Sequence, residues 1–119
     1  MKIFRAAASA LAMMSLMTTA YAKPPICPTV AALSQFEFLT AKEHGDKRWE
    51  VFMPPHRFDT DNDWRFALGT IIADSAEEAI QKGNGVIKHL FFFKTTEPQG
   101  KDCIYFDFKD SIYAAALST

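Results

Sequence analysis

The chain contains none of the compact catalytic signatures: no G-x-S-x-G, H-E-x-x-H, P-loop or G-x-G-x-x-G occurs. It has no C-x-x-C, and no histidine lies near either mature cysteine, which removes a zinc site and c-type haem attachment. Basic charge is sparse. The longest basic run is Lys47-Arg48, too little for the phosphate-neutralising face that nucleic acid requires. No apolar run reaches the roughly 20 residues that cross a bilayer. The oxygen-rich stretch Asp59-Thr60-Asp61-Asn62-Asp63 opens like a calcium loop. It carries Trp64 where an EF-hand needs glycine and Thr70 where it needs glutamate, so it reads as a solvated turn. Nothing places two carboxylates around a substrate. These absences argue against an enzyme, a metal site, a nucleic-acid binder and a membrane span.

What is present begins with a leader. Lys2 and Arg5 form a charged n-region, Ala6 to Met17 is apolar apart from Ser9 and Ser15, and Ala20-Tyr21-Ala22 is an A-x-A cleavage site. Residues 1–22 are therefore expected to be removed, leaving 23–119 as a single domain exported to the periplasm or secreted. Removing Lys2 and Arg5 leaves 11 basic residues (13 − 2) against 14 acidic ones, a net charge of −3. Cys27 and Cys103 remain. In an oxidising compartment such a pair is read as a disulfide. Closing 77 residues, from Cys27 to Cys103, it contributes about 4.5 kcal/mol on the chain-entropy model, comparable with the net stability of a domain this size.

Periodicity predicts the elements. Pro28 to Gln35 reads as a short helix, and Phe36 to Glu43 and Lys47 to Met53 as a hairpin around His44-Gly45-Asp46. Trp64, Phe66 and Leu68 alternate along a half-buried strand. A long amphipathic helix is expected from a capping box at Ser75 and Glu78, with its apolar wedge running from Ala76 to about Phe91. Gly83 lies in that wedge, where a missing side chain allows close approach to a sheet. Gly85 lies outside it, and a break near Asn84 is an alternative. Thr95 to Asp102 reads as loop, Cys103 to Phe108 as a strand, and Ile112 to Leu117 as a last short strand or a docked tail. The expected fold is α+β: a small antiparallel sheet of 4–5 strands, one long amphipathic helix on one face, and a short N-terminal helix.

Aromatics are the anomaly, at 14 of the 97 residues from 23 onward. A sheet covered by one helix buries one face only. The reading places Leu39, Phe52, Phe92 and Tyr105 on the uncovered side, with Phe52 and Phe92 as an interaction surface for a protein or a flat apolar molecule. Of the scattered histidines, His44 sits in a turn, His89 projects from the helix's polar side, and His56 is the best placed for a ligand pocket.

The order C-P (Cys27-Pro28), T-x-N-x-W-x-F-x-x-G (Thr60, Asn62, Trp64, Phe66, Gly69), a helix with E-E-A (Glu77, Glu78, Ala79) and a late C-x-Y (Cys103, Tyr105) resembles a family of small exported bacterial proteins of mostly unknown function, some labelled haemin-binding. The resemblance covers nearly the whole of 23–119. It implies haemin as a possible ligand, with His56, Tyr105 or Tyr113 as candidate contacts to the iron.

Overall fold

The computed structural model describes residues 26–95 and 102–119. The expected leader lies outside the described residues, as does most of the loop expected between Thr95 and Asp102. Six strands form one antiparallel sheet: β1 (Thr40–Glu43), β2 (Arg48–Phe52), β3 (Trp64–Ile72), β4 (Phe91–Thr95), β5 (Asp102–Asp107) and β6 (Ile112–Ser118). Their order across the sheet is β1-β2-β3-β6-β5-β4. Two three-stranded meanders are thus joined along β3 and β6. A four-residue helix, α1 (Val30–Leu33), precedes the sheet, and α2 (Ala76–Val86) connects the meanders.

This corrects the expected α+β architecture. The protein is mostly β, and its larger helix is short: 11 residues, extended by one 3-10 turn at Ile87–His89. Phe91 to Phe93 belong to β4, not to a helix, and Phe91 and Phe92 pair with β5. Three consecutive aromatics satisfy both periods, so the stripe could not separate the two readings. Aromatics favour a pleated surface, and pairing with Tyr105 and Phe106 decides it. Ile112 to Leu117, read as a last short strand or a docked tail, falls within the central strand β6, where alternate alanines pack beside β3.

The start of α2 follows its local chemistry. Ser75 accepts the Glu78 N–H at 3.1 Å, while the Glu78 carboxylate accepts the N–H of Asp74 at 2.6 Å. No break occurs at Asn84. Its side-chain oxygen instead accepts the Phe38 N–H at 2.7 Å, fastening the helix to the segment that leads into β1. α2 packs over β1, β2 and β3, and Gly83 sets the spacing. A Cβ there would lie 2.8 Å from Val51 Cγ2 and 3.2 Å from Phe38 Cδ2.

Register assigns every side chain to a face. Ala41, Val51, Leu68, Ala114, Tyr105 and Phe92 lie in one row across all six strands, on the helix side. Phe66, Ala116 and Cys103 form the next row on that face. The alanines of β6 leave room above it. There the Phe66 and Tyr105 rings, from β3 and β5, meet edge to face with centroids 5.5 Å apart. The opposite face carries Phe52, Ala67, Ala115 and Ile104, then Glu50, Gly69, Tyr113, Phe106 and Phe91.

Cys27 and Cys103 are joined in a disulfide with Cα atoms 6.0 Å apart. The Tyr105 hydroxyl, two residues along the same face, donates to the Pro28 carbonyl. Asp59 accepts both the N–H (3.1 Å) and the hydroxyl (2.6 Å) of Thr29. The N-terminal segment is therefore held at three consecutive residues.

Gly83→Ala tests the helix spacing. An added methyl in a packed contact costs about 1–3 kcal/mol, against a gain of about 1 kcal/mol in helix propensity. A net loss of about 1 kcal/mol is expected, read from the urea midpoint.

Candidate functional site

Two surfaces collect the candidate residues. The first is the uncovered face of the β4–β6 meander. There Phe106 touches Tyr113 and Phe108, and Phe108 touches Phe91, with ring centroids 4.7–4.8 Å apart. Phe91, Phe108 and Tyr113 are 42–68% exposed. Alternation along β5 and β6 puts Phe106 and Tyr113 outward, and the turn after Asp107 folds Phe108 back over them. Asp107, buried, builds that turn by accepting the N–H groups of Lys109 and Asp110. Beside the cluster runs a trough of about 440 Å³, floored by Ala67, Gly69 and Ala115 and walled by Ile104, Tyr113 and Leu117. His44 and Glu50 stand on its other rim, their side chains 3.0 Å apart.

The second is a cleft of about 580 Å³ between α1, the 3-10 turn and the loop after β2. Phe36, Leu39, Met53 and Ile87 give it an apolar wall, and Glu37, Asn84 and Lys88 supply polar groups. His56 lies on this cleft. Its ring packs on Phe36 (centroids 4.2 Å) and Phe58 (5.1 Å), and its Nδ1 accepts the Phe58 N–H at 2.7 Å. Phe58 has φ 57°, a left-handed conformation that costs a bulky residue on the order of 1 kcal/mol. What this strained turn achieves is to aim one N–H at His56 and one ring at Phe36.

The candidate haemin contacts are not brought together. Tyr113 is on the uncovered sheet face, and His56 lines the other cleft. Tyr105 is in the core, fully buried, its hydroxyl engaged by Pro28. Placing Tyr105 and Phe92 on the uncovered side is corrected by the register. Both point to the helix side, and Phe92, 47% exposed, packs edge-on against Tyr105 at 5.7 Å. Phe52 is half-buried beside Ala67 on the uncovered face. Sequence reasoning overlooked Phe91 and Phe108. The available signal was that Phe91 and Phe106 each stand one residue from an inward ring, but reading it requires the β4–β5 register.

The motif residues are occupied by the fold. Trp64 Nε1 donates to Thr60 Oγ1 at 2.8 Å, and Thr60 Oγ1 accepts the Asn62 N–H at 3.2 Å. Phe66 is fully buried. At Gly69 a Cβ would sit 3.2 Å from the Trp49 carbonyl, beside the β2–β3 bulge. Cys27, Pro28, Cys103 and Tyr105 together make the N-terminal clasp. Comparison with known protein families, curated proteins and solved structures finds no match to this chain. No helix among the described residues is long and apolar enough to cross a membrane.

Burial holds the Tyr105 phenol well above the usual tyrosine value near 10, with the nearby Asp59 carboxylate adding to the effect. The fold therefore prefers the protonated phenol. This contribution is complete below pH 10 and declines as pH rises above it, because the unfolded chain ionises first. Tyr105→Phe should cost about 1 kcal/mol at pH 7 through the lost bond to Pro28. In denaturant titrations from pH 8 to 11, the gap between wild type and Tyr105→Phe should narrow above pH 10.

Proposed function

We propose that the protein is a non-enzymatic binding protein of the bacterial envelope or secretome, working through the aromatic cluster Phe91–Phe106–Phe108–Tyr113. The carrying observation is the contiguity and exposure of these rings on a sheet face that α2 does not cover. Such patches mark partner or ligand surfaces. Export is supported by the leader-like sequence and by the disulfide, which persists in oxidising compartments. The occupant is a flat apolar molecule or the apolar face of another protein.

Haemin is the second reading, favoured by one observation. Tyr113 exposes a phenol, an oxygen ligand known for ferric haem iron, among rings on which a porphyrin can stack. Tyr105 does not fit, because its oxygen is buried and bonded. His56 fits poorly. With Nδ1 accepting the Phe58 N–H, the neutral ring carries its proton on Nε2, so ligation there would sacrifice that bond.

Photo-crosslinkers placed at Phe108 and, as a control, at Glu77 on α2 test the surface in envelope preparations. Adducts are expected from position 108 and not from 77, and a silent position 108 would sink the proposal for a protein partner. Haemin titration is run alongside. The haemin reading expects a Soret shift whose affinity falls about tenfold in Tyr113→Phe, about 1.4 kcal/mol, and is unchanged in His56→Ala. No shift removes haemin.

A further inference from the structure

A third concavity, of about 590 Å³, opens between the second half of α2 and the β5–β6 turn, and shares only Thr70 with the lining of the trough. We infer that it binds an amphipathic anion: a single aliphatic chain bearing a carboxylate or phosphate head. Three independent features of the cleft point there.

The first is Gly85. A glycine in a helix interior costs about 1 kcal/mol relative to alanine. Gly83 has a packing reason, since Val51 stands where its Cβ would be. Gly85 has none: a Cβ built there meets nothing within 4 Å, and its φ is not in the left-handed range. Gly85 is part of the lining, so its missing side chain leaves the cleft open. The second is the wall. Val86 and Ile112 line the cleft with Ile72, which is 59% exposed although it ends the longest strand of the sheet. No Phe, Tyr or Trp is among the described lining residues, so the apolar wall is aliphatic and suits an aliphatic chain.

The third is charge. Lys82, His89 and Lys109 stand around the cleft, with Asp110 in the lining and Glu78 paired to Lys82. Lys82 is fixed there, its Nζ donating to the Ile72 carbonyl at 2.8 Å with Glu78 at 3.5 Å. A helix C-terminus attracts cations for its own reasons, which accounts for His89. It does not account for Lys109, which comes from the β5–β6 turn and joins none of the ion pairs among the described residues. An apolar wall, a cationic rim and a side chain omitted at the cost of stability together describe a site for a tail and a head. The volume is within the range of small-molecule sites.

The test uses the purified oxidised protein and isothermal titration with laurate, dodecanol and inorganic phosphate, below the laurate micelle threshold. Laurate alone should bind. Lys109→Glu should weaken it at least tenfold. Gly85→Leu should raise the melting temperature, because leucine is a better helix former than glycine, and yet abolish binding. Loss of binding therefore cannot be ascribed to unfolding. Phosphatidylglycerol vesicles, run in parallel, distinguish a bilayer-held head from a free amphiphile, and in either case Gly85→Leu must lose the interaction. The inference fails if laurate does not bind, if dodecanol binds as well as laurate, or if Gly85→Leu binds like wild type.

Discussion

Cys103 and Tyr105 must both point to the helix side of the sheet, because their partners Cys27 and Pro28 lie there. That one requirement governs the second half of the molecule. The two residues share a strand and are two positions apart, so a slip of one residue in β5 would turn both away from their partners. With β5 fixed, Phe92 is forced inward beside Tyr105, and Phe91 and Phe106 are forced outward. β6 then presents Ala114 and Ala116 inward and Tyr113 outward. The aromatic surface is thus the reverse side of the clasp. Neither could be moved without the other.

The clasp also compensates for an economy in the core. α2 packs chiefly over the β1–β3 meander. The other meander is tied to the N-terminal segment through Cys27 and Pro28, which lead into a four-residue helix too short to be stable alone. A covalent link, a buried hydroxyl bond and the Asp59 carboxylate do there what hydrophobic area does elsewhere. Holding three consecutive residues lets so little polypeptide close a core containing Leu33, Phe66 and Tyr105. The same segment supplies Phe36 and Ser34 to the wall of the His56 cleft, so the geometry of that cleft depends on the clasp as well.

Much of this was legible in the residues. The Ser75–Glu78 box, the close approach at Gly83, the hairpin at Gly45 and the pairing of the two cysteines each rest on local chemistry or on a count of two, and the structure contains all of them. The strand nature of Phe91–Phe93 and the central place of β6 were not legible. Both depend on pairings between residues far apart in the chain, and an alanine-rich strand announces itself weakly. The same gap hid the exposed aromatic cluster, since three adjacent phenylalanines do not say which of them faces out. The motifs that first suggested a ligand prove to be scaffold: Thr60 and Trp64 bond to each other, Glu78 caps, and Tyr105 is consumed by Pro28.

The aromatic corner lies at the margin of the sheet, and two kinds of recognition are available at such a place. A partner can add a strand to the free edge of β4, or it can lie on the face. β4 is poorly suited to the first. Phe93 is an extra residue in its ladder, a bulge between Phe92 and Lys94, which bends the strand and breaks the regular run of hydrogen-bonding groups. Lys94 places a charge beside it, its ammonium 5.7 Å from the centre of the Phe93 ring. These are devices by which natural sheets refuse strand addition. On the face behind, Lys94 stands opposite Ile104, one row from the rings. Phe91, Phe106, Phe108 and Tyr113 meet ring against ring with no charged side chain among their ring contacts. The bulge disfavours strand addition at β4, which is why the proposed reading rests on the exposed rings and not on the backbone of β4.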